Sequence, residues 1–262
     1  MGLMDTAPEI VVEPSADQLA GDVAARLVTT LVAAQSVRPL AFLVITGGGI
    51  LEQVMAAVRD LPARESVDWG RVSLWWGDER FVPADSPDRN DRAAFAALFD
   101  ALPLDPANVH RMPAEDAEFG DDVEAAAAAY AADLAAAVPS EQGDSSGDDV
   151  PQFDVVLLGI GPDGHCASLF PGHPGVYEKD AAVIAVHDSP KPPPTRISLT
   201  FRALNAANEV WFIAAGTSKA HAVAQALGGA DRVDVPSAGP HGRRRTLWLL
   251  DREAAAQLPA SR

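Results

Sequence analysis

The sequence predicts an α/β fold: a mostly parallel sheet with helices on both faces, Rossmann-like in arrangement. Three observations predict it. Short apolar runs rich in β-branched residues alternate with longer helical patterns along most of the chain. The runs are apolar at consecutive positions, as strands covered on both faces require. Glycine-rich or charged segments follow several runs directly, where a strand gives way to a helix.

EIVVEP, residues 9–14, opens the series as a strand, and a helix follows over about 15–35. The apolar run 40–45 is the second strand, with a helix at 51–59 behind it. A third strand at 72–76 precedes a helix at 93–99, and an Ala-rich helix spans 121–138. PSEQGDSSGDDV, residues 139–150, is small, acidic and turn-forming, and reads as a surface loop. Further strands are expected at 153–158, 182–186, 209–214 and 246–250, with a helix at 218–227 and another closing the chain at 251–258. One alternation runs through the loop without a break, so residues 1–262 are expected to form a single domain.

With 262 residues and 48% hydrophobic content the chain has ample material for a packed core. Twenty Lys and Arg against 37 Asp and Glu leave a net charge of −17, which repels nucleic acid and anionic membrane surfaces. A small anionic substrate remains compatible, because a few cations converging on one cleft reverse the local potential. The lone Cys166 has no partner for an internal disulfide, and the N-terminus lacks the basic start and apolar run of a signal peptide. No run approaches the roughly 18 to 20 apolar residues of a spanning helix. A cytoplasmic protein is expected, and a monomer, since no segment advertises a large apolar interface.

In an open α/β sheet, ligands bind beyond the carboxyl ends of the strands, and three strand exits carry unusual chemistry. Thr46-Gly47-Gly48-Gly49 leads from the second strand into its helix. Its glycines let backbone N–H groups approach an anion, and the helix start adds its positive end; a tight turn without a ligand fits the string equally well. Asp78, Glu79 and Arg80 follow the third strand, and the segment runs on to Asn90. Most such charge runs are surface ion pairs, although Arg80 has the fork that binds phosphate and the two carboxylates suit either orienting it or binding a substrate hydroxyl.

The third exit is the most distinctive. LLGIGPDGHCASLFPG, residues 157–172, takes an apolar strand into Gly159, Gly161 and Gly164 and presents Asp163 and His165 at the start of an expected short helix. An imidazole there is placed to take a proton from water near neutral pH; a solvated loop histidine is the commoner arrangement. Two cations come from elsewhere: Arg196, after the stiff run Pro192 to Pro194, and Lys219, in the first turn of a helix, where its charge opposes the helix dipole unless an anion binds.

Taken together, GDERFVP with Asn90, LLGIGPDGHCASLFPG, TRISLT at 195–200 and AAGTSKAHAV at 214–223 resemble the 6-phosphogluconolactonase family, in the family's order and over most of the chain. The wider fold group includes glucosamine-6-phosphate deaminase and ribose-5-phosphate isomerase. The deaminases share G-x-G-x-D-G-H but continue differently, and ASLFPG after His165 favours the lactonase. One departure stands in the first glycine loop. The family usually reads Ser-Gly-Gly-Ser/Asn-Thr-Pro there; this chain has Gly49, Ile50 and Leu51, so hydroxyl donors are missing while backbone donors remain.

The resemblance implies hydrolysis of 6-phospho-D-glucono-1,5-lactone to 6-phospho-D-gluconate, the second step of the oxidative pentose phosphate pathway, with neither metal nor cofactor. His165 becomes the expected general base, with Asp163 or a backbone group ordering its loop. Arg80, Arg196 and Lys219 become phosphate ligands, and Asp78 and Asn90 sugar contacts or supports for Arg80. Backbone N–H groups of Gly47, Gly48 and Gly49, or of the loop from Gly161 through Gly164 to His165, are alternative oxyanion donors. Two competing readings are an amino sugar phosphate isomerase or deaminase and a non-catalytic sugar-phosphate sensor; no fused partner domain is visible in the sequence to favour the sensor.

Overall fold

The computed structural model describes residues 7–139 and 149–259. Its main sheet has seven parallel strands: β1 (Glu9–Glu13), β2 (Ala41–Ile45), β3 (Val72–Trp76), β5 (Val109–His110), β6 (Val155–Gly159), β9 (Glu209–Ala214) and β10 (Arg245–Asp251), ordered β1-β10-β9-β6-β2-β3-β5. Every residue of β2 and β3 is buried, as consecutive apolar runs require. A smaller antiparallel sheet holds β4 (Asp78–Arg80), β8 (Arg196–Leu199) and β7 (Val183–Val186) in the order β4-β8-β7. The helices are α1 (Ala16–Val37), α2 (Gly49–Asp60), α3 (Asn90–Ala97), α4 (Val123–Ala136), α5 (Phe201–Leu204) and α6 (Ala220–Leu227). No helix among the described residues is long and apolar enough to cross a membrane.

Strand order and handedness together place the layers. The connections through α1, α2 and α3 step toward the β5 edge, whereas those through α4, the small sheet and α6 step back toward β1. Right-handed crossovers in opposite directions lie on opposite faces. Accordingly α1 packs on α2 and α2 on α3, while α4 packs on β7 and β8. The direction reverses between β2 and β6, and the crevice at their carboxyl ends is where such a sheet takes its ligand.

At the β5 edge the ladder is short, pairing only Leu74 with Val109 and Trp75 with His110. Tyr130 of α4 takes over where β5 stops: its buried hydroxyl accepts the Trp76 N–H at 2.9 Å and lies 3.1 Å from the Trp76 carbonyl oxygen. Tyr130→Phe strands that N–H in the core, so a loss of about 1–3 kcal/mol is expected, read as a lower midpoint in urea with the slope unchanged.

Four expectations are corrected. The strand expected at 182–186 forms as β7, but it belongs to the antiparallel sheet. The short helix expected after Asp163 is a series of turns closed by a bridge between Cys166 and Leu169. The closing helix at 251–258 is the end of β10 and a run of turns, whose 255→251, 256→253 and 258→255 bonds never settle into one helical spacing. Lys219 ends the 3-10 turn Thr217–Lys219 and caps α6 instead of lying inside its first turn. Strands β4, β5 and β8 were not expected, being two to four residues long and, in β4, wholly charged. Most of the segment read as a surface loop, 140–148, lies outside the described residues.

Candidate active site

Strands β2 and β6 end side by side, and Thr46 joins them: its Oγ1 donates to the Leu157 carbonyl at 3.2 Å and accepts the Gly159 N–H at 3.4 Å. Above this seam opens a cleft of about 810 Å³. Gly47, Gly48, Gly49, Asp78, Arg80, Asn90, Gly161, His165, Arg196 and Lys219 all line it, so the separate strand exits do converge. Asp163 and Gly164 are not among its lining residues: Asp163 is exposed beside His165, and Gly164 is buried. Gly164 has φ +85, and a Cβ on it would come 2.8 Å from Val235, so it shapes the turn that carries His165.

The histidine is held from one side. His165 Nδ1 is 2.5 Å from Asp163 Oδ1, and the Lys191 ammonium is 3.1 Å from both atoms. Burial alone would raise the Asp163 carboxyl, but hydrogen bonds and charge from His165 and Lys191 outweigh it and hold the group well below the usual carboxylate range. An ionised carboxylate accepts a hydrogen bond, so its contact calls for a hydrogen on Nδ1 and leaves Nε2 as the nitrogen not engaged with Asp163. Phe170 packs against the ring at 4.7 Å. Gly161 makes the arrangement possible, since a Cβ there would come 2.0 Å from His165 Nδ1 and 2.3 Å from Asp163 Oδ1. Gly161→Ala is therefore expected to displace the pair and lower kcat about 100-fold in a protein whose melting temperature changes little.

The cations are set by the small sheet. Its register places Arg80 directly opposite Arg196, and like charges in that position repel unless an anion lies between them. Arg196 is 4% exposed, and its guanidinium donates to the carbonyls of Pro193, Lys191 and Pro192 at 3.1, 3.0 and 3.3 Å. Burial pulls its pKa below the ordinary value; Asp78 pushes it back up, and Arg80 lowers it further. Arg80 donates to Asn90 Oδ1 and, at 3.1 Å, to the Asp88 carbonyl, but its buried Nε has no acceptor among the described residues. Such an orphan donor is costly and suits an incoming anion. Across the cleft, burial and then the Lys191 charge lower the Lys219 ammonium, against the pull of Asp163.

The charge run after β3 is no surface cluster: Asp78 is 5% and Glu79 1% exposed. Asp78 Oδ2 accepts the Ser168 hydroxyl at 2.7 Å, and burial pushes the Glu79 carboxyl up to about 7 despite Arg89 and the backbone donors around it. A Cβ on Gly47 would come 1.8 Å from Asn90 Oδ1, so the first glycine there admits the asparagine. Gly48, at φ +128, caps α2 without a side-chain bond, and nothing crowds Gly49, so α2 opens toward the cleft through backbone groups alone. Sequence reasoning missed Lys191, whose one signal is its place before Pro192, and Ser168, whose partner Asp78 lies 90 residues away; Glu79 it named only within the charge run.

The family described as glucosamine-6-phosphate isomerases/6-phosphogluconolactonase matches residues 14–248. The chain belongs to this family. A 6-phosphogluconolactonase of Streptomyces coelicolor is 54% identical over 258 residues, 98% of this chain and 97% of its own. One from Mycobacterium tuberculosis is 48% identical over 252 residues, 96% of this chain and 98% of its own. The solved 6-phosphogluconolactonase of Trypanosoma brucei covers 96% of this chain and 99% of itself with a TM-score of 0.80 at 29% identity. A monomeric glucosamine-6-phosphate deaminase matches with a TM-score of 0.73 at 21% identity, a likeness of fold. The family's α/β fold, a seven-stranded parallel sheet flanked by helices, is the one described above.

Proposed function

We propose that this protein is a 6-phosphogluconolactonase, opening 6-phospho-D-glucono-1,5-lactone to 6-phospho-D-gluconate in the oxidative pentose phosphate pathway, with residues 1–262 working as one catalytic domain. Full-length identity to proteins of that name supports the reaction. The observation that carries the mechanism is the histidine with Nδ1 tied to Asp163, lining the same cleft as a pair of opposed arginines.

In this reading Nε2 of His165 takes a proton from water as the water oxygen bonds to the lactone carbonyl carbon. Asp163 holds the tautomer and balances the imidazolium that forms, and the Lys191 ammonium fixes Asp163. The carbonyl oxygen becomes anionic against backbone N–H groups of the Gly47-Gly48-Gly49 loop, since those of Gly161, Gly164 and His165 are engaged within their own loop. When the bond from that carbon to the ring oxygen breaks, the imidazolium returns its proton to the leaving oxygen and the open acid is released. Arg80, Arg196 and Lys219 anchor the phosphate, and Asp78 and Asn90 receive sugar hydroxyls.

The test is hydrolysis of freshly generated lactone followed against its spontaneous decay. Acceleration by the wild type is the expected result; decay at the uncatalysed rate would overturn the reading.

A further inference from the structure

Glu79 does not line the cleft. Alternation along β4 points it away from the face that carries Asp78 and Arg80, and it is 1% exposed. Yet one of its oxygens serves two residues that do line the cleft: Oε1 accepts the Arg80 N–H at 2.8 Å and the Asn90 N–H at 2.7 Å. Oε2 accepts the Asp91 N–H at 2.9 Å and faces the Arg89 guanidinium at 3.8 Å. Arg89, the residue before α3, makes no side-chain cap bond, so a carboxylate from another strand terminates that helix.

The consequence reaches the cleft through Asn90. Its side chain donates to the Asp78 carbonyl at 3.0 Å and receives the Arg80 guanidinium, and it lies where Gly47 has no Cβ. The backbones of Arg80 and Asn90 are thus clamped to one buried oxygen while their side chains bond each other above it.

We propose that Glu79 is a positioning residue for the lactonase reaction: its carboxylate holds Arg80 and Asn90 in register with the Gly47 loop, and its removal weakens substrate binding while leaving proton transfer at His165 intact. The proposal rests on the function argued above. Glu79→Gln keeps the shape but turns one oxygen into an amino group facing a backbone N–H, donor against donor.

The experiment is a double-mutant cycle of Glu79→Gln and Asn90→Ala, reading kcat and KM for the lactone together with melting temperature. Each single change is expected to raise KM about tenfold with kcat within about threefold. The double variant should fall well short of the product of the two rises, because Glu79 acts in part through Asn90. If Glu79→Gln does not fold, Glu79→Asp keeps the charge but withdraws it by one methylene, and the same cycle is read. KM rises that multiply, or an unchanged KM beside a lowered melting temperature, would overturn the proposal and leave the lactonase reading standing. An inactive wild type would overturn both.

Discussion

His165→Ala is expected to lower kcat by about 100- to 10,000-fold, the usual contribution of a general base, with KM within about threefold of the wild type. The imidazole is the ring in the cleft whose one nitrogen is already committed, to Asp163 at 2.5 Å, leaving the other for water. The phosphate ligands proposed here come from β4, β8 and the turn before α6, and none bonds to His165, so binding should survive the change. The lactone opens spontaneously, so the residual rate must be taken after subtracting that decay. Near-wild-type kcat would remove His165 from the mechanism. Because Asp163 is held below the ordinary carboxylate range, it stays ionised near neutral pH and contributes nothing to an acid loss of activity there.

Arg196→Ala carries the second large effect: kcat/KM should fall about 100-fold, mostly through KM. Losing one charge-assisted contact to phosphate costs about 1.5–3 kcal/mol, and each 1.4 kcal/mol is about tenfold. The same guanidinium also holds the carbonyls of Lys191, Pro192 and Pro193, so a smaller part should appear in kcat through the displaced Lys191. Arg196→Lys keeps the charge without the fork and should recover about tenfold. Gluconolactone lacking the phosphate separates the two roles: the KM part of the defect should vanish on it and the kcat part remain. An equal KM defect on both lactones would mean that Arg196 does not bind phosphate.

The large sheet was legible because its signals are local. Consecutive apolar residues such as Ala41–Ile45 and Val72–Trp76 have no solvated face, and only a strand covered on both sides accommodates them. The small sheet was not legible. Asp78, Glu79 and Arg80 read as a solvated charge run, and what makes them a strand is pairing with Ser198, Ile197 and Arg196, nearly 120 residues away. Glu79 is buried because the Asn90 and Asp91 N–H groups and Arg89 meet it there, a compensation no window of sequence displays.

The sequence by itself determined the inventory: glycine loops at the ends of two strands, a histidine two residues after an aspartate, and three cations at other exits. These follow from neighbours along the chain, where backbone freedom, propensity and alternation act. Only the tertiary structure decided which of them meet. The reversal of crossover direction set β6 beside β2, the antiparallel register set Arg80 against Arg196, and the fold brought Lys191 to Asp163 and Glu79 beneath Asn90. Those contacts are fixed by burial and strand order, which depend on the whole chain packing at once.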